Sequence, residues 1–491
     1  MALLKAHTSY GIVSGKPGDS NAAISDFLGI PYAKPPVGEL RFMAPQDPEP
    51  WAGEKNCTSF GHACIQQQHP NDTSPADFSE DCLYLNVYTP ADSAEEKLPV
   101  LFWIYGGGFS GGSSANPEMI GERLCEKGVL VVTINYRCGA LGFFSLPELE
   151  QKEGGGLNAG ILDEIAALKW VQQNISAFGG DPERVTVFGQ SAGGMSTRML
   201  LTSPLTDGLF SRAIVQSGGG LNEADPVRTR ADFTAVCQTV LDHLGWSPED
   251  ILAKDAMEVN TTLMNTARKI LPGQEVGYFQ PFIDGYSILD VPGKLISQGR
   301  YHDIPVICGT VAGDSWMFSR KVVDRLTDEK YLRGFSYVAS QAWANLNVKS
   351  GRTPIYTYYM DRIQPPRPMR GTHGAAHFGS TTPHSSDVPY IFRTLSAKDD
   401  RFTGYDEELS DLMSTYWTNF AKTGSPNGAG LPQWPLYTEQ TPVAMHFGND
   451  HSAAEEIVLS DEEWNTITYT QEHPGLLTSL EGFHKINEGS L

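Results

Sequence analysis

Ser191 stands between two glycines in the stretch Val185-Thr-Val-Phe-Gly-Gln-Ser-Ala-Gly-Gly194. An apolar run (Val185, Val187, Phe188) reads as a short buried strand that stops at Gly189. The pattern G-x-S-x-G at such a point marks a sharp turn from strand to helix, which raises a serine hydroxyl at the top of a sheet for nucleophilic attack. Side chains at the flanking Gly189 and Gly193 would collide with the strained turn or a neighbouring strand. Small Ala192 leaves its own N–H free to point at a reacting carbonyl oxygen. The pattern is weak alone, and a second match exists at Gly108-Phe-Ser110-Gly-Gly112. Ser110 follows three glycines and has no helical continuation, whereas Ser191 has a strand before it and a helix-compatible segment, Met195 to Leu201, after it. Ser191 is therefore the expected nucleophile and Ser110 a loop residue.

An acyl-transfer serine needs an oxyanion hole, a base and an acid that orients the base. The glycine loop after the apolar segment 98–105 offers the N–H groups of Gly107 and Gly108, and Ala192 a third. A phosphate-cradling loop is the competing reading, but no GK[ST] follows. In a sheet of this kind the order along the chain is Ser, acid, His. Asp314 lies just past the apolar segment 304–309, where a carboxylate would meet the active edge. The histidines beyond it are His373, His377, His384, His446 and His451. His384 sits in a polar loop before an apolar segment, and His377 is the alternative base. His373 and His377 have the i, i+4 spacing of a zinc pair, but no Glu stands beside the first, and Gly371 to Gly379 is too glycine-rich for a helix. No metal site is expected there, and the chemistry needs no cofactor.

These residues must be carried by a framework. Strands are expected over 7–16, 23–31, 80–88, 98–105, 129–134, 185–188, 213–216, 304–309 and 354–360. A helix is expected over 160–175, with Ile161, Ile165, Leu168 and Ile175 on one face and Gly179-Gly180 as its stop. The fully apolar run 129–134 reads as a central parallel strand. Alternating strands and helices imply an α/β fold with a mostly parallel sheet covered on both faces. Polar helical segments near 222–300 and 315–352 read as cap-like insertions in a single domain spanning 1–491.

At 491 residues, with 40% hydrophobic and 19% charged residues, the chain has ordinary globular composition. A net charge of −22 argues against nucleic acid and anionic membrane as partners. No apolar run is long enough to span a bilayer. Met1-Ala-Leu-Leu-Lys5 lacks the apolar region of a signal peptide, so the expectation is a soluble protein, cytoplasmic or secreted with its leader removed. Seven cysteines, an odd number, do not make a disulfide framework. Cys125, Cys138, Cys237 and Cys308 read as buried thiols, leaving Cys57, Cys64 and Cys82 as the plausible bridge partners.

Several longer motifs carry a resemblance. They are Phe27-Leu-Gly-Ile-Pro-Tyr-Ala33 with Pro35-Pro-Val-Gly38, Glu80-Asp-Cys-Leu-Tyr-Leu-Asn-Val87 and Trp103-Ile-Tyr-Gly-Gly-Gly-Phe109. Then come Asn135-Tyr-Arg137, Phe178-Gly-Gly-Asp-Pro182, Phe188-Gly-Gln-Ser-Ala-Gly-Gly194, Phe420-Ala-Lys-Thr-Gly424 and Trp434-Pro435. Over nearly its whole length the chain resembles the type-B carboxylesterase/lipase family of the α/β-hydrolases, with its cholinesterases and bacterial p-nitrobenzyl esterases. The resemblance implies Ser191 as nucleophile, Asp314 as acid and His384 as base, and Gly107, Gly108 and Ala192 as the oxyanion hole. It favours His384 over His377, because relatives follow the base with a segment like Ser385-Ser-Asp-Val-Pro-Tyr390. It also implies a Cys64–Cys82 disulfide, which if oxidised would add about 3 kcal/mol, and a supporting hydrogen bond from Ser217.

Two departures bear on substrate. Gln190 stands where relatives often carry Glu, removing a negative charge from the pocket wall. The loop from Cys64 to Cys82 holds no Trp, which cholinesterases use there to hold a quaternary ammonium. The expected substrates are thus small to medium, uncharged carboxylic esters. The shorter span from Asp314 to His384 implies a reduced cap and a more open site. Bulky aromatic esters of the feruloyl type, an amidase activity, and a non-catalytic adhesion protein on the same fold are the alternatives.

Overall fold

The computed structural model describes residues 2–67, 77–221, 228–271, 279–317, 334–364, 382–395 and 402–456. In chain order the main elements are β1 (Lys5–Thr8), β2 (Gly11–Ser14), β3 (Ser25–Pro31), β4 (Tyr84–Thr89), β5 (Leu98–Ile104), β6 (Leu130–Ile134) and α1 (Ala159–Asn174). They continue with β7 (Gly180–Gln190), α2 (Ala192–Thr202), β8 (Arg212–Gln216), α3 (Arg230–Leu244), α4 (Ala256–Ile270) and β9 (Val306–Val311). The last are α5 (Gly334–Lys349), β10 (Ile355–Met360), α6 (Gly404–Thr423), β11 (Val443–Phe447) and β12 (Ser452–Glu456). The chain divides into two compact units, one of residues Met1–Val185, Ser203–Phe210 and Pro226–Asp290, the other of Thr186–Thr202, Ser211–Asp225 and Val291–Leu491.

In the first unit β5, β6, β4 and β3 are neighbours in that order. Val100 to Ile104 and Leu130 to Val132 are fully buried, as β-branched and aromatic runs demand when both faces of a sheet are covered. The expected parallel partner of β6 is β5, but on its other side β6 pairs antiparallel with β4. Two of the sequence motifs are anchored here by arginine–carboxylate pairs. Arg41 grips Glu80 with two hydrogen bonds of 2.6 and 2.7 Å and donates to the carbonyls of Ile251 and Lys254. Arg137 and Asp163 form a second buried pair at 2.7 Å. Cys64 and Cys82 are disulfide-bonded, their Cα atoms 4.9 Å apart, while Cys57, Cys125, Cys138, Cys237 and Cys308 are buried and outside any disulfide.

In the second unit β7, β8, β9, β10 and β11 run parallel in chain order, and β12 closes the edge antiparallel to β11. Helix α5 packs on β9 and β10, burying Tyr337, Ala342 and Trp343. Residues 318–333, which share the expected cap segment with α5, lie outside the described residues.

Helix α6 and the β11–β12 hairpin were not among the sequence expectations. The helix buries Leu409, Met413, Tyr416, Trp417 and Phe420, spaced to share one face. Thr403 and Asp406 make a capping box at its start, and Gly424, at φ 80°, caps its end. Asp406 is fully buried. Arg362 holds it by bonds of 2.7 and 3.0 Å, and it accepts further bonds from the Tyr390 hydroxyl and from Thr403. Burial opposes its charge, but these donors outweigh burial and bring the carboxyl down to about 2. A carboxyl depressed in the fold adds stability above its unfolded value of about 3.9, lost only as pH falls towards the folded value. Asp406→Ala deprives a half-buried guanidinium of its partner and uncaps α6, and is expected to cost roughly 1–3 kcal/mol. Urea denaturation at neutral pH measures this, and a change under about 0.5 kcal/mol would mean that the network does not anchor the helix.

Candidate active site

The site residues of the second unit begin at the end of β7. Residues Thr186 to Gln190 pair in register with Arg212 to Gln216 of β8, so Gln190 lies beside Gln216. Ser191 then turns out of the strand with φ of 57°, a left-handed conformation that a non-glycine residue holds only when its surroundings require it. Its N–H donates to the Gln216 carbonyl at 2.9 Å, and its own carbonyl accepts from Met195 at 2.8 Å inside α2. The strain is thus spanned by two backbone bonds. The tight backbone approach falls at Gly194, where a Cβ would lie 2.8 Å from both the Gln216 carbonyl oxygen and the Gly218 Cα. Ala192 is fully buried as the first residue of α2, and its amide donates to no group among the described residues.

Asp314 sits in a short 3-10 turn, Ala312–Met317, directly after β9. One carboxylate oxygen accepts from the Val311 amide at 3.1 Å and from the Thr310 hydroxyl. The other lies 2.6 Å from His384 Nδ1. Gly313 permits this meeting, since a Cβ there would come 2.2 Å from the Thr382 carbonyl oxygen of the histidine loop. Burial acts to lower the His384 pKa, but the charge and hydrogen bond of Asp314, with the charge of Asp387 behind, outweigh it and raise the value above the ordinary one.

Gln190 meets the other side of the imidazole. Its amide nitrogen is 3.2 Å from His384 Nε2, and its carbonyl oxygen accepts from the Ser385 hydroxyl at 3.0 Å. A carboxamide nitrogen only donates, so Nε2 is bare and the ring proton is on Nδ1, facing Asp314. That is the tautomer of a general base. The Ser191 hydroxyl itself makes no hydrogen bond to the imidazole.

Behind the histidine lies a network that reading the sequence missed. Asp387 is fully buried and accepts from Gln216 Nε2 at 3.0 Å and the Tyr358 hydroxyl at 2.9 Å. Gln216 in turn accepts from Trp417 Nε1 at 3.1 Å, and the Tyr358 and Trp417 rings meet edge-on at 5.3 Å. Burial raises the Asp387 carboxyl, with the two donors opposing. A carboxylate three residues after the base was the visible signal for this residue.

Other expected residues fall differently. Ser217 is buried at φ 47°, its amide bonded to the Gly309 carbonyl at 2.8 Å, but its hydroxyl has no partner among the described residues. The supporting hydrogen bond expected of it is therefore not made to any described residue. In the first unit Gly107 and Gly108 have φ of 128° and 61°, and their amides donate to no group among the described residues. Ser110 closes a turn there, bonding the carbonyls of Gly107 and Gly108. His373 and His377 lie outside the described residues. His446 and His451 gather instead with Glu455 on the β11–β12 hairpin. Among the described residues no helix is long and apolar enough to cross a membrane.

The chain is similar to known esterases along most of its length. The model of the carboxylesterase family matches residues 3–338 and 333–463. The fumonisin B1 esterase of Sphingopyxis macrogoltabida is 33% identical over 93% of this chain and 88% of its own length. The para-nitrobenzyl esterase of Bacillus subtilis (strain 168) is 32% identical over 88% and 92%. Among solved structures, a carboxylesterase of Geobacillus stearothermophilus superposes with a TM-score of 0.75 at 30% identity, covering 96% of this chain and 100% of that one. With a family match along nearly its full described length and relatives above 30% identity, the chain belongs to the type-B carboxylesterases, serine esterases of the α/β-hydrolase fold.

Proposed function

We propose that the protein hydrolyses small to medium, uncharged carboxylic esters through an acyl-enzyme on Ser191, with His384 as base and Asp314 as the acid that orients it. The observation that carries this reading is the imidazole held on both sides, Nδ1 on Asp314 and Nε2 bare beneath the Gln190 amide. When a substrate carbonyl enters, the Ser191 hydroxyl turns to Nε2 in place of the Gln190 amide. Its proton passes to Nε2 as Oγ bonds the carbonyl carbon. Asp314 stabilises the imidazolium, and Asp387 adds a second negative charge behind it. The oxyanion is received by the Ala192 amide, with Gly107 and Gly108 carried over from the family motif as further donors, each worth about 3 kcal/mol. The imidazolium protonates the departing alcohol; water, deprotonated by the same nitrogen, then attacks the acyl carbon, and that proton passes to Oγ as its bond to the acyl carbon breaks and the acid leaves.

Gln190 supports the uncharged substrate class. A carboxamide beside the imidazole adds no negative potential to attract a cationic alcohol, and it leaves Nε2 unprotonated at rest. The cocaine esterase of Homo sapiens, 33% identical over 86% of this chain, takes its name from cocaine. Substrate size is therefore tested directly with graded p-nitrophenyl acyl chains beside methyl ferulate and a matched anilide. Highest kcat/KM on a short or medium neutral acyl chain is expected, and a preference for ferulate or the anilide would replace this reading.

Ser191→Ala should lower kcat by about 10⁵-fold or more with unchanged urea stability, and the wild-type serine should be trapped by a phosphonate. Retained turnover in the variant rules out the nucleophile.

Because the base must be neutral, kcat/KM should rise with pH, with a midpoint above the ordinary histidine value of about 6.5. Gln190→Glu replaces a donor on Nε2 with a negative charge that favours imidazolium. The rising limb should then move to higher pH by about one unit. An unmoved limb in that variant would show that residue 190 does not control the imidazole.

A further inference from the structure

A second constellation lies on the outer hairpin of the second unit. His446 projects from β11 and Glu455 from β12. In the antiparallel register His446 faces Ala453, so Glu455, two residues on, shares its face. His451 comes from the turn that joins the strands. Asp361 follows β10, whose Tyr359 is the parallel partner of His446. Three neighbouring strands and one turn thus deliver two imidazoles and two carboxylates to one place.

The two histidines are oriented alike. One ring nitrogen of each is held by a carboxylate, His446 Nε2 by Asp361 at 2.8 Å and His451 Nδ1 by Asp450 at 2.7 Å. The remaining nitrogens both face the same Glu455 oxygen, His446 Nδ1 at 3.0 Å and His451 Nε2 at 3.1 Å. His446 Nδ1 is buried and, despite that distance, has no hydrogen-bond partner in good geometry. A carboxylate on the far nitrogen of each ring is the arrangement that fixes tautomer and ring direction in histidine metal ligands.

We infer that His446 Nδ1, His451 Nε2 and Glu455 Oε1 form a binding site for one divalent transition-metal ion of the zinc class. Bonds of about 2.0–2.2 Å at tetrahedral angles separate ligand atoms by roughly 3.4 Å, and small side-chain rotations from the observed spacing reach that. Two imidazole nitrogens select Zn²⁺ or Co²⁺ over the hard cations Mg²⁺ and Ca²⁺. The fourth position is left to water. Asp361 and Asp450 act as the outer carboxylates. The ion would tie β12 to β11 at the edge of the sheet, a role separate from ester hydrolysis.

The test uses the full chain, stripped with chelator, dialysed against Zn²⁺ at mildly alkaline pH and analysed for bound metal, with Co²⁺ substitution read by visible absorption. One ion per chain is expected, with tetrahedral Co²⁺ bands and a rise in Tm. His451→Ala and Glu455→Gln, both at half-exposed positions, should each lower affinity more than roughly 10-fold while esterase activity stays at the wild-type level. Asp361→Asn should weaken binding by roughly 10-fold without removing a ligand. Absence of bound metal in the wild type, or binding unchanged in both ligand variants, would overturn the assignment. Octahedral Co²⁺ bands that persist in Glu455→Gln would do so as well.

Discussion

A carboxylate and an imidazole taken out of water at 2.6 Å are the constraint on which the active region depends. Burial alone would strip the charge from each. The structure answers by surrounding both with oriented donors. Asp314 has the Val311 amide and the Thr310 hydroxyl on its second oxygen, and the imidazole has the Gln190 amide on its second nitrogen. Every polar atom of the pair is thereby occupied, and the ring has one orientation and one tautomer. Asp387 adds negative potential from behind without touching the ring, held in turn by Gln216 and Tyr358.

That second carboxylate ties chemistry to folding. Gln216 is at once the carbonyl acceptor for the Ser191 amide, the donor to Asp387 and the acceptor for Trp417. One side chain and its backbone therefore join the strained serine turn, the histidine loop and helix α6. The helix is fixed at its start by Asp406 and along its length by a buried aromatic face, so the histidine loop takes its rigidity from the helix that follows it. Pre-organised groups of this kind lower a reaction barrier because they need not reorganise as charge develops.

The outer hairpin repeats the same chemistry in a different balance. There too imidazoles are oriented by carboxylates, but two rings converge on one acidic oxygen and the nucleophile is absent. Paired with one ring and a serine, a carboxylate supports proton transfer; shared between two rings, it supports binding of a cation. The difference lies in what shares the carboxylate, one ring in the first case and two in the second.

Much of the framework was legible in the chain. The strand before Ser191, the apolar strands at 98–104 and 130–134 and helix α1 each declare themselves within a dozen neighbours, because periodicity and turn chemistry act locally. The left-handed serine turn was equally visible, since Gly-Gln-Ser-Ala-Gly-Gly leaves few other conformations. Motif order along the chain carried Asp314 and His384 with it. The short strands β11 and β12 were not visible, because five residues offer little period and their pairing is decided by the strand beside them. Ser217 shows the converse, a residue whose position the sequence located and whose hydroxyl finds no partner among the described residues. Contacts across 194 residues, such as the Gln190 amide on His384, have no local signature at all. They follow from which strand ends lie side by side, and so do Asp387 on Gln216 and the meeting of His446 with Glu455. The sequence by itself determined most of the elements before residue 361 and the chemistry they carry, since both are written in adjacent residues. The tertiary structure decided which nitrogen holds the proton and which carboxylate stands behind it, because sheet register brings distant side chains within bonding range.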